Sequence, residues 1–328
     1  MGLLILGALS GCPRMAHFTV THPALLNVVP FGNTMTVGNV EGPPPAAMDV
    51  RADLEQRITT SLNPSIHLVP QGGVVIGGYV PVYAYNESIR RDDRTCTRQV
   101  NAGTDGQGHI LYRTQSYTCS TITRTGRADL QLTLTVTAAA TGQMLVAQMY
   151  RDSASTSTTA TLSPGNYYEP PQIDGMAMLH RLTARSVDRF ARIILPWPEN
   201  VAVRYEDCAG APQCREGFDL VRQGNLPAAA QMFTAVIGPF ESPATPIPQN
   251  QIERVSEAFY NRAVTRGYMA QFAPSVGDFL RATTLAPREQ RWAEQFAAMQ
   301  QLQREGEQLV QQGAVQNATQ EVQQAGTP

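Results

Sequence analysis

The spacing of apolar residues changes along the chain, and this change constrains the fold more than any other feature. Leu130, Leu132 and Leu134 alternate with polar residues, which is typical of a strand with one buried face. After residue 174 the apolar positions recur at helical spacing instead, at Met176, Leu179, Leu182, Val187, Phe190 and Ile194. Strands and helices therefore occupy separate segments of this chain.

Further segments complete an α+β pattern. Val50, Leu54, Ile58 and Leu62 recur at every fourth position and predict a first helix, while Pro196 and Pro198 end the second. Strands are predicted at 24–31, 66–69, 72–80, 130–137, 144–150 and 201–203, with a long polar β-hairpin at 81–128. We expect an α/β domain over residues 24–206, with a mixed, mostly antiparallel sheet and helices packed on one face.

The region 207–310 has a helical pattern of another kind. Small and aromatic residues recur at matching positions of two segments, at Ala229, Phe233, Phe279 and Ala282. This pattern is similar to tetratricopeptide repeats, helix-turn-helix units that stack through such side chains. The resemblance implies about two helical hairpins, followed by a capping helix at 288–310. The segment 311–328 is rich in glutamine and alanine, and we predict a disordered tail or a frayed helix there.

The first twelve residues read MGLLILGALSGC, a short apolar run followed by Leu9, Ser10, Gly11 and Cys12. They resemble a bacterial lipobox, although no basic residue precedes the apolar run as in most signal peptides. The resemblance implies a signal peptide at 1–11, cleavage before Cys12 and acylation of Cys12 by groups such as palmitate. Residues 12–23 would then be a tether, and Pro13 after the cysteine favours the outer membrane, facing the periplasm. The alternative is an ordinary buried N-terminal strand.

Four cysteines remain after Cys12. An even number in an exported protein suggests disulfides, and we predict Cys96–Cys119 and Cys208–Cys214, one of three possible connectivities. The spacing of Cys208 and Cys214 is not that of a zinc knuckle, and no histidine lies near them in the sequence. We therefore expect no metal.

The composition excludes several classes of enzyme. All 25 basic residues are arginine, so no P-loop lysine, Schiff-base lysine or Ser-x-x-Lys nucleophile can exist. There is no Gly-x-Ser-x-Gly elbow, and the five histidines show no metal-ligand spacing. A net charge of −2 also argues against a nucleic-acid partner. We expect a non-enzyme without a cofactor; an envelope enzyme is the least favoured hypothesis.

Several short sequences between residues 24 and 206 occur in a particular order. The chain shows VVPF, a helix, the glycine-flanked strand VVIGGYV, then TGQML, a long helix and LP. This order resembles the periplasmic α/β domain of curli-secretion-channel lipoproteins. The resemblance implies a homo-oligomeric component of an outer-membrane secretion channel.

The hypothesis that we favour from the sequence is a lipid-anchored scaffold or protein-binding module without catalytic activity. Its helical repeats would offer a groove to a periplasmic protein partner. Candidate partner-binding residues are Asn261, Arg262 and Tyr268, although Asn261 and Arg262 could equally make polar contacts within the helices.

Overall fold

The structure is a computed structural model, and it describes residues 14–162 and 168–314. The signal peptide, the lipobox and the acylation predicted at Cys12 lie outside the described residues. So does most of the predicted tail, from residue 315 onward.

The described residues form seven strands and seven α-helices in an α+β arrangement. The strands are β1 (Arg14–His22), β2 (Thr34–Glu41), β3 (His67–Leu68), β4 (Val74–Thr104), β5 (Ile110–Ala138), β6 (Met144–Leu162) and β7 (Trp197–Tyr205). The helices are α1 (Pro44–Thr59), α2 (Gly175–Ile194), α3 (Pro212–Arg222), α4 (Leu226–Ile237), α5 (Ile252–Tyr268), α6 (Phe272–Leu285) and α7 (Gln290–Gln311).

These elements divide into two compact units. The sheet unit comprises residues 30–60 and 66–193, and the helical unit comprises the described residues of 1–29, 61–65 and 194–328. The sheet unit thus contains β2 to β6 together with α1 and α2, and the helical unit contains β1, β7 and α3 to α7.

The sheet unit has the strand order β3-β2-β4-β5-β6. β2 runs parallel to β3 and β4, whereas β4, β5 and β6 are antiparallel neighbours. Leu132 and Leu134 are fully buried, as their alternation predicts. Contacts of Ser186 and Arg189 with Asp152, and of His180 with Asp49, place α2 and α1 on the same face of this sheet.

The long hairpin predicted at 81–128 is present as β4 and β5. β2 pairs with β4 only as far as Tyr79, and β6 pairs with β5 only from Ser120 onward. Residues 95–118 therefore form a two-stranded ribbon, which we call the distal ribbon. The Cys96–Cys119 disulfide joins its two strands at the base.

The helical unit contains a two-stranded antiparallel sheet of β1 and β7 as well as five helices. Ala16, Phe18 and Val20 on β1 point into the same hydrophobic core as Val203 and Tyr205 on β7. That core also contains the aromatic residues Phe233, Phe259, Phe279 and Trp292 from the helices. The first strand is thus part of the helical core.

Three predictions about this part of the chain differ from the structure. The tether predicted at 12–23 contains β1, whose alternating apolar residues bury one face. The strand predicted at 24–31 is absent: Leu25 is exposed, and Val29–Phe31 is a short 3₁₀ helix. The strand predicted at 201–203 lies in β7 and pairs with β1 instead of joining the larger sheet.

Candidate functional site: an apolar cavity in the helical unit

The turn between α3 and α4 has a glycine just after the end of α3, as many helix C-termini do. Gly224 has φ +75°, and its N–H donates to the carbonyl of Val221. The N–H of Asn225 donates to the carbonyl of Leu220, which completes a Schellman motif. Leu226 then begins α4. This sharp reversal places α4 beside α3.

The turn between α5 and α6 repeats this geometry. Ala270 has φ +57° and donates to the carbonyl of Gly267, and Gln271 donates to the carbonyl of Arg266. Phe272 begins α6, as Leu226 begins α4. The two helical hairpins therefore have matching turns, and residues of both turns face the same space.

That space is a cavity of about 530 Å³ between the two turns, β1 and α7. Most of its surface is apolar, and its walls include Leu226, Tyr268, Met269, Phe272, Leu302 and Leu309. Its volume lies within the range of about 300–1,000 Å³ that is typical of binding pockets.

One wall of the cavity is the edge of a strand. Thr19, Val20 and Thr21 are consecutive in β1, and all three line the cavity. Since neighbouring strand residues point to opposite faces, only the edge of the strand can present all three to one space. Along the described residues, β7 is the strand that pairs with β1, so the other edge of β1 has no strand partner.

Few polar groups line the cavity. Gln271 and Gln303 supply amides, and Glu307 is the one charged residue among the described residues of the wall. The cavity therefore suits an apolar occupant that is neutral or carries positive charge near Glu307.

Asn261, predicted to bind a partner, is buried instead. Its Oδ1 accepts from the N–H of Glu206 at 2.9 Å, and its Nδ2 donates to the carbonyl of the same residue at 2.8 Å. These two bonds satisfy the backbone just after β7, where the chain leaves the sheet. Asn261 is thus a structural residue, and its prediction as a groove residue is wrong.

Arg262 is also buried and held within the unit. Its guanidinium donates to both carboxylate oxygens of Asp278, at 2.9 and 2.7 Å, and to both of Glu241, at 2.9 and 2.8 Å. Hydrogen bonds from Arg262 hold the pKa of Glu241 below its usual value, whereas burial raises the pKa of Asp278. Arg262 therefore links helices and does not face a partner, contrary to prediction.

Tyr268 is the predicted residue that does reach the cavity. Its ring stacks on Phe18, with 3.8 Å between ring centroids, and the side chain is mostly covered. Burial raises the pKa of its hydroxyl. Tyr268 thus forms part of the cavity wall instead of an open groove.

Both predicted disulfides are present. Cys96 pairs with Cys119, and Cys208 pairs with Cys214. The second bridge closes a small loop, in which Ala209 donates its N–H to Oε2 of Glu257 at 3.0 Å. Burial raises the pKa of Glu257 to about 7, and the nearby charges of Glu206 and Glu253 contribute to the rise.

Within residues 14–162 and 168–314, no group of three histidine, cysteine, aspartate or glutamate side chains is placed to hold a metal ion. None of the described helices combines the length and apolarity that crossing a membrane requires. His22, at the end of β1, lies with its two ring nitrogens 2.9 Å from the carboxylates of Glu199 and Glu305.

Sequence reasoning missed most of the cavity wall. The alternation of Ala16, Phe18 and Val20 is typical of a strand and could have predicted β1. These residues follow shortly after the lipobox cysteine, however, and were therefore interpreted as part of the tether. Leu302 and Gly306 gave no signal, because only the packing of α7 against the two turns places them in one wall.

Comparison with known proteins identifies no family for this chain. No protein-family profile and no curated protein matches the chain. A solved structure of a PelC variant dodecamer from Paraburkholderia phytofirmans aligns at 12% identity, over 55% of this chain and 98% of that chain, with a TM-score of 0.24. A score that low carries no argument about fold or function.

Proposed function

We propose that this chain is a non-catalytic, lipid-anchored envelope protein whose helical unit binds an extended apolar peptide segment of a periplasmic partner. One observation carries the proposal, namely that the free edge of β1 forms a wall of an apolar cavity. An extended peptide can pair its backbone with such an edge while its side chains enter the cavity. A small apolar molecule would use the cavity alone.

The charges of the wall indicate which peptides fit best. Glu307 is the charged residue of the described wall, so a peptide with a basic residue gains an attractive contact and an acidic one is repelled. Because Glu307 is exposed to water, the preference should be modest, about fivefold at most.

The anchoring half of the proposal depends on Cys12, which lies outside the described residues. Acyl chains on Cys12 would hold the protein at a membrane, since each buried methylene contributes about 0.8 kcal/mol. Metabolic labelling with a palmitate analogue tests this: the full chain should be labelled and the Cys12→Ser variant should not. Equal labelling of both would contradict the anchor.

The peptide-binding half is tested by filling the cavity. Gly306 lines the cavity on α7, and a Cβ added there meets no atom within 4 Å, so Gly306→Phe can be accommodated. Gly277→Phe on α6 is the matched control, because Gly277 is equally open but does not line the cavity. The probes are rhodamine-labelled peptides GRVTVLSG and GEVTVLSG, and the measurement is fluorescence anisotropy.

We expect GRVTVLSG to bind the full chain more tightly than GEVTVLSG. Gly306→Phe should weaken its binding about tenfold or more, and Gly277→Phe should leave it unchanged. Failure of both peptides to bind, or equal binding by the two phenylalanine variants, would contradict the proposal.

A second candidate, an oligomeric secretion-channel component, is favoured by the edge of the larger sheet. β6 is 19 residues long and lies at the edge of that sheet. It contains neither lysine nor proline, the residues that commonly protect edge strands, and its charged residues are Arg151 and Asp152. Such an edge can pair with another copy of the chain.

This candidate is tested by the oligomeric state of the full chain in detergent, measured by light scattering and electron microscopy. Rings or defined oligomers that dissociate in Ser155→Lys, on β6, but not in Gln56→Lys, on α1, would support it. A monomer in all three proteins would exclude it.

A further inference from the structure

The distal ribbon, residues 95–118, ends in a turn with a cluster of exposed apolar residues. Ten residue positions of β4 give the ribbon a length of about 33 Å. At its far end Ile110, Leu111 and Tyr112 are 52%, 48% and 61% exposed. A two-stranded ribbon has no layer of its own to cover such residues.

The three residues are consecutive, so they occupy both faces of the ribbon. Ile110 and Tyr112 point to one face and Leu111 to the other, because side chains alternate along a strand. A protein partner that packs on one face leaves the other in water. A lipid surface surrounds the tip and covers both faces together.

The charge around the tip is positive, although the chain as a whole carries −2. The distal ribbon contains two arginines, Arg98 and Arg113, against one acidic residue, Asp105. Among the described residues neither of these arginines forms an ion pair; Arg98 contacts the amide of Gln115 and the ring of Tyr117.

The carboxylate of Asp105 makes its hydrogen bonds within the turn at the tip. It accepts from the N–H groups of Gln107 and His109, both at 2.9 Å, and contacts the His109 ring at 3.0 Å. These bonds hold the pKa of Asp105 below its usual value and fix the turn that presents the apolar cluster.

We propose that the tip of the distal ribbon docks on an anionic phospholipid surface. Ile110 and Leu111 enter the boundary between headgroups and acyl chains, and Tyr112 lies there with its hydroxyl toward water. The arginines contact the phosphate groups, and the disulfide at the base of the ribbon keeps the tip in place. This contact is separate from the peptide-binding cavity and from acylation of Cys12.

The experiment uses the full chain carrying Cys12→Ser, so that no acyl group contributes to binding. Tyr112→Trp and Leu111→Trp report on the two faces of the tip. Ile89→Trp is the matched control, since Ile89 is 60% exposed on β4 but lies outside the distal ribbon. Tryptophan emission is measured with phosphatidylcholine vesicles and with vesicles containing phosphatidylglycerol, after subtraction of the parent spectrum.

We expect a blue shift at both tip positions with the anionic vesicles, a smaller one with neutral vesicles, and none at position 89. The proposal is overturned if neither tip position shifts, if only one face shifts, or if neutral and anionic vesicles act equally. A shift at position 89 equal to that at the tip would overturn it as well.

A second measurement tests the charges by vesicle sedimentation. Arg98→Gln and Arg113→Gln should each weaken binding to anionic vesicles about fivefold. Arg151→Gln on β6, an exposed arginine outside the distal ribbon, should leave binding unchanged. Equal binding by all three variants would contradict the proposal. The cavity lies in the helical unit and the distal ribbon in the sheet unit, so Gly306→Phe should not alter vesicle binding. The peptide-binding proposal and the lipid-docking proposal can therefore fail independently.

Discussion

Glu257 connects the ionisation of one residue to the stability of the helical unit. Burial raises its pKa from an ordinary 4.5 to about 7, so the folded state binds the proton more tightly than the unfolded state. The contribution of Glu257 to the free energy of unfolding must therefore fall as pH rises from about 4.5 to 7, and stay constant above that.

We predict that Glu257→Gln flattens this dependence. Between pH 5 and 7.5 the free energy of unfolding of the wild type should fall by about 1–2 kcal/mol relative to that of the variant, after allowance for screening by solvent. Urea unfolding at several pH values under oxidising conditions measures this. Glu216→Gln, an exposed position on α3, is the control and should follow the wild type. An equal slope in wild type and Glu257→Gln would contradict the prediction.

Arg262 is the clearest case of a residue whose role could not be read from the sequence. Its partners Glu241 and Asp278 lie on other segments, and only the packing of α5 among its neighbours brings all three groups together. Local sequence cannot distinguish an arginine that faces a partner from one that links helices. Both interpretations of Asn261 and Arg262 therefore stayed open in the sequence, and the structure buries both residues.

We predict that Arg262→Ala lowers the free energy of unfolding by about 3–5 kcal/mol, because it leaves the Asp278 carboxylate buried without its main partner. Arg254→Ala, exposed on the same helix, should change stability by less than about 0.5 kcal/mol. Denaturant unfolding compares the two. If Arg262→Ala retained wild-type stability, the assignment of Arg262 as a helix-linking residue would be wrong.

At the scale of elements, the two Schellman turns are the same structure built with different residues. Gly224 and Ala270 both have positive φ, a conformation that costs a residue with a Cβ about 1–2 kcal/mol. The turn at Gly224 was recognisable in the sequence from its glycine. The turn at Ala270 was not, because nothing about an alanine indicates a left-handed backbone.

Exchanging these residues should act in opposite directions. We predict that Ala270→Gly raises the free energy of unfolding by about 1 kcal/mol and that Gly224→Ala lowers it by a similar amount. Thermal or denaturant unfolding of the two single variants measures both effects. A change of the same sign in both variants would contradict the matching geometry of the turns.

The distal ribbon depends on its disulfide, because a two-stranded hairpin is marginally stable in water. We predict that the double variant Cys96→Ser, Cys119→Ser is cut faster by trypsin at Arg98 and Arg113, since the ribbon opens more often. The melting temperature of the remaining fold should change little. Cys208–Cys214 stays oxidised in this design and serves as the internal control; an unchanged rate of cleavage would contradict the prediction.

The hairpin itself was predictable from the sequence, and its partners were not. Alternation and turn residues between 81 and 128 indicate two long strands, and the structure confirms them. The pairing of strands that lie far apart in the sequence could not be predicted from such local patterns. β1 and β7 are separated by most of the sheet unit, and their register follows from packing on the helices that come after them.

Across the whole molecule, the helical unit is built from segments that lie far apart in the sequence. β1 supplies Phe18 and Val20 to its core, and α7 supplies Trp292 and Met299. A helical fragment that lacks β1 would expose this core, so binding experiments on the cavity need the full chain. The predicted division at residue 206 followed the change in sequence pattern. In the structure β7, which ends just before that residue, belongs to the helical unit and contributes Val203 and Tyr205 to its core.

The most direct test of the central claim is amide hydrogen exchange of the full chain with and without the peptide GRVTVLSG. Binding at the free edge of β1 should slow the exchange of at least one amide among Thr19, Val20 and Thr21, because alternate amides of an edge strand point outward. The same protection should be absent in Gly306→Phe and present in Gly277→Phe. Peptide binding that leaves β1 unprotected, or that protects it equally in Gly306→Phe, would contradict the account.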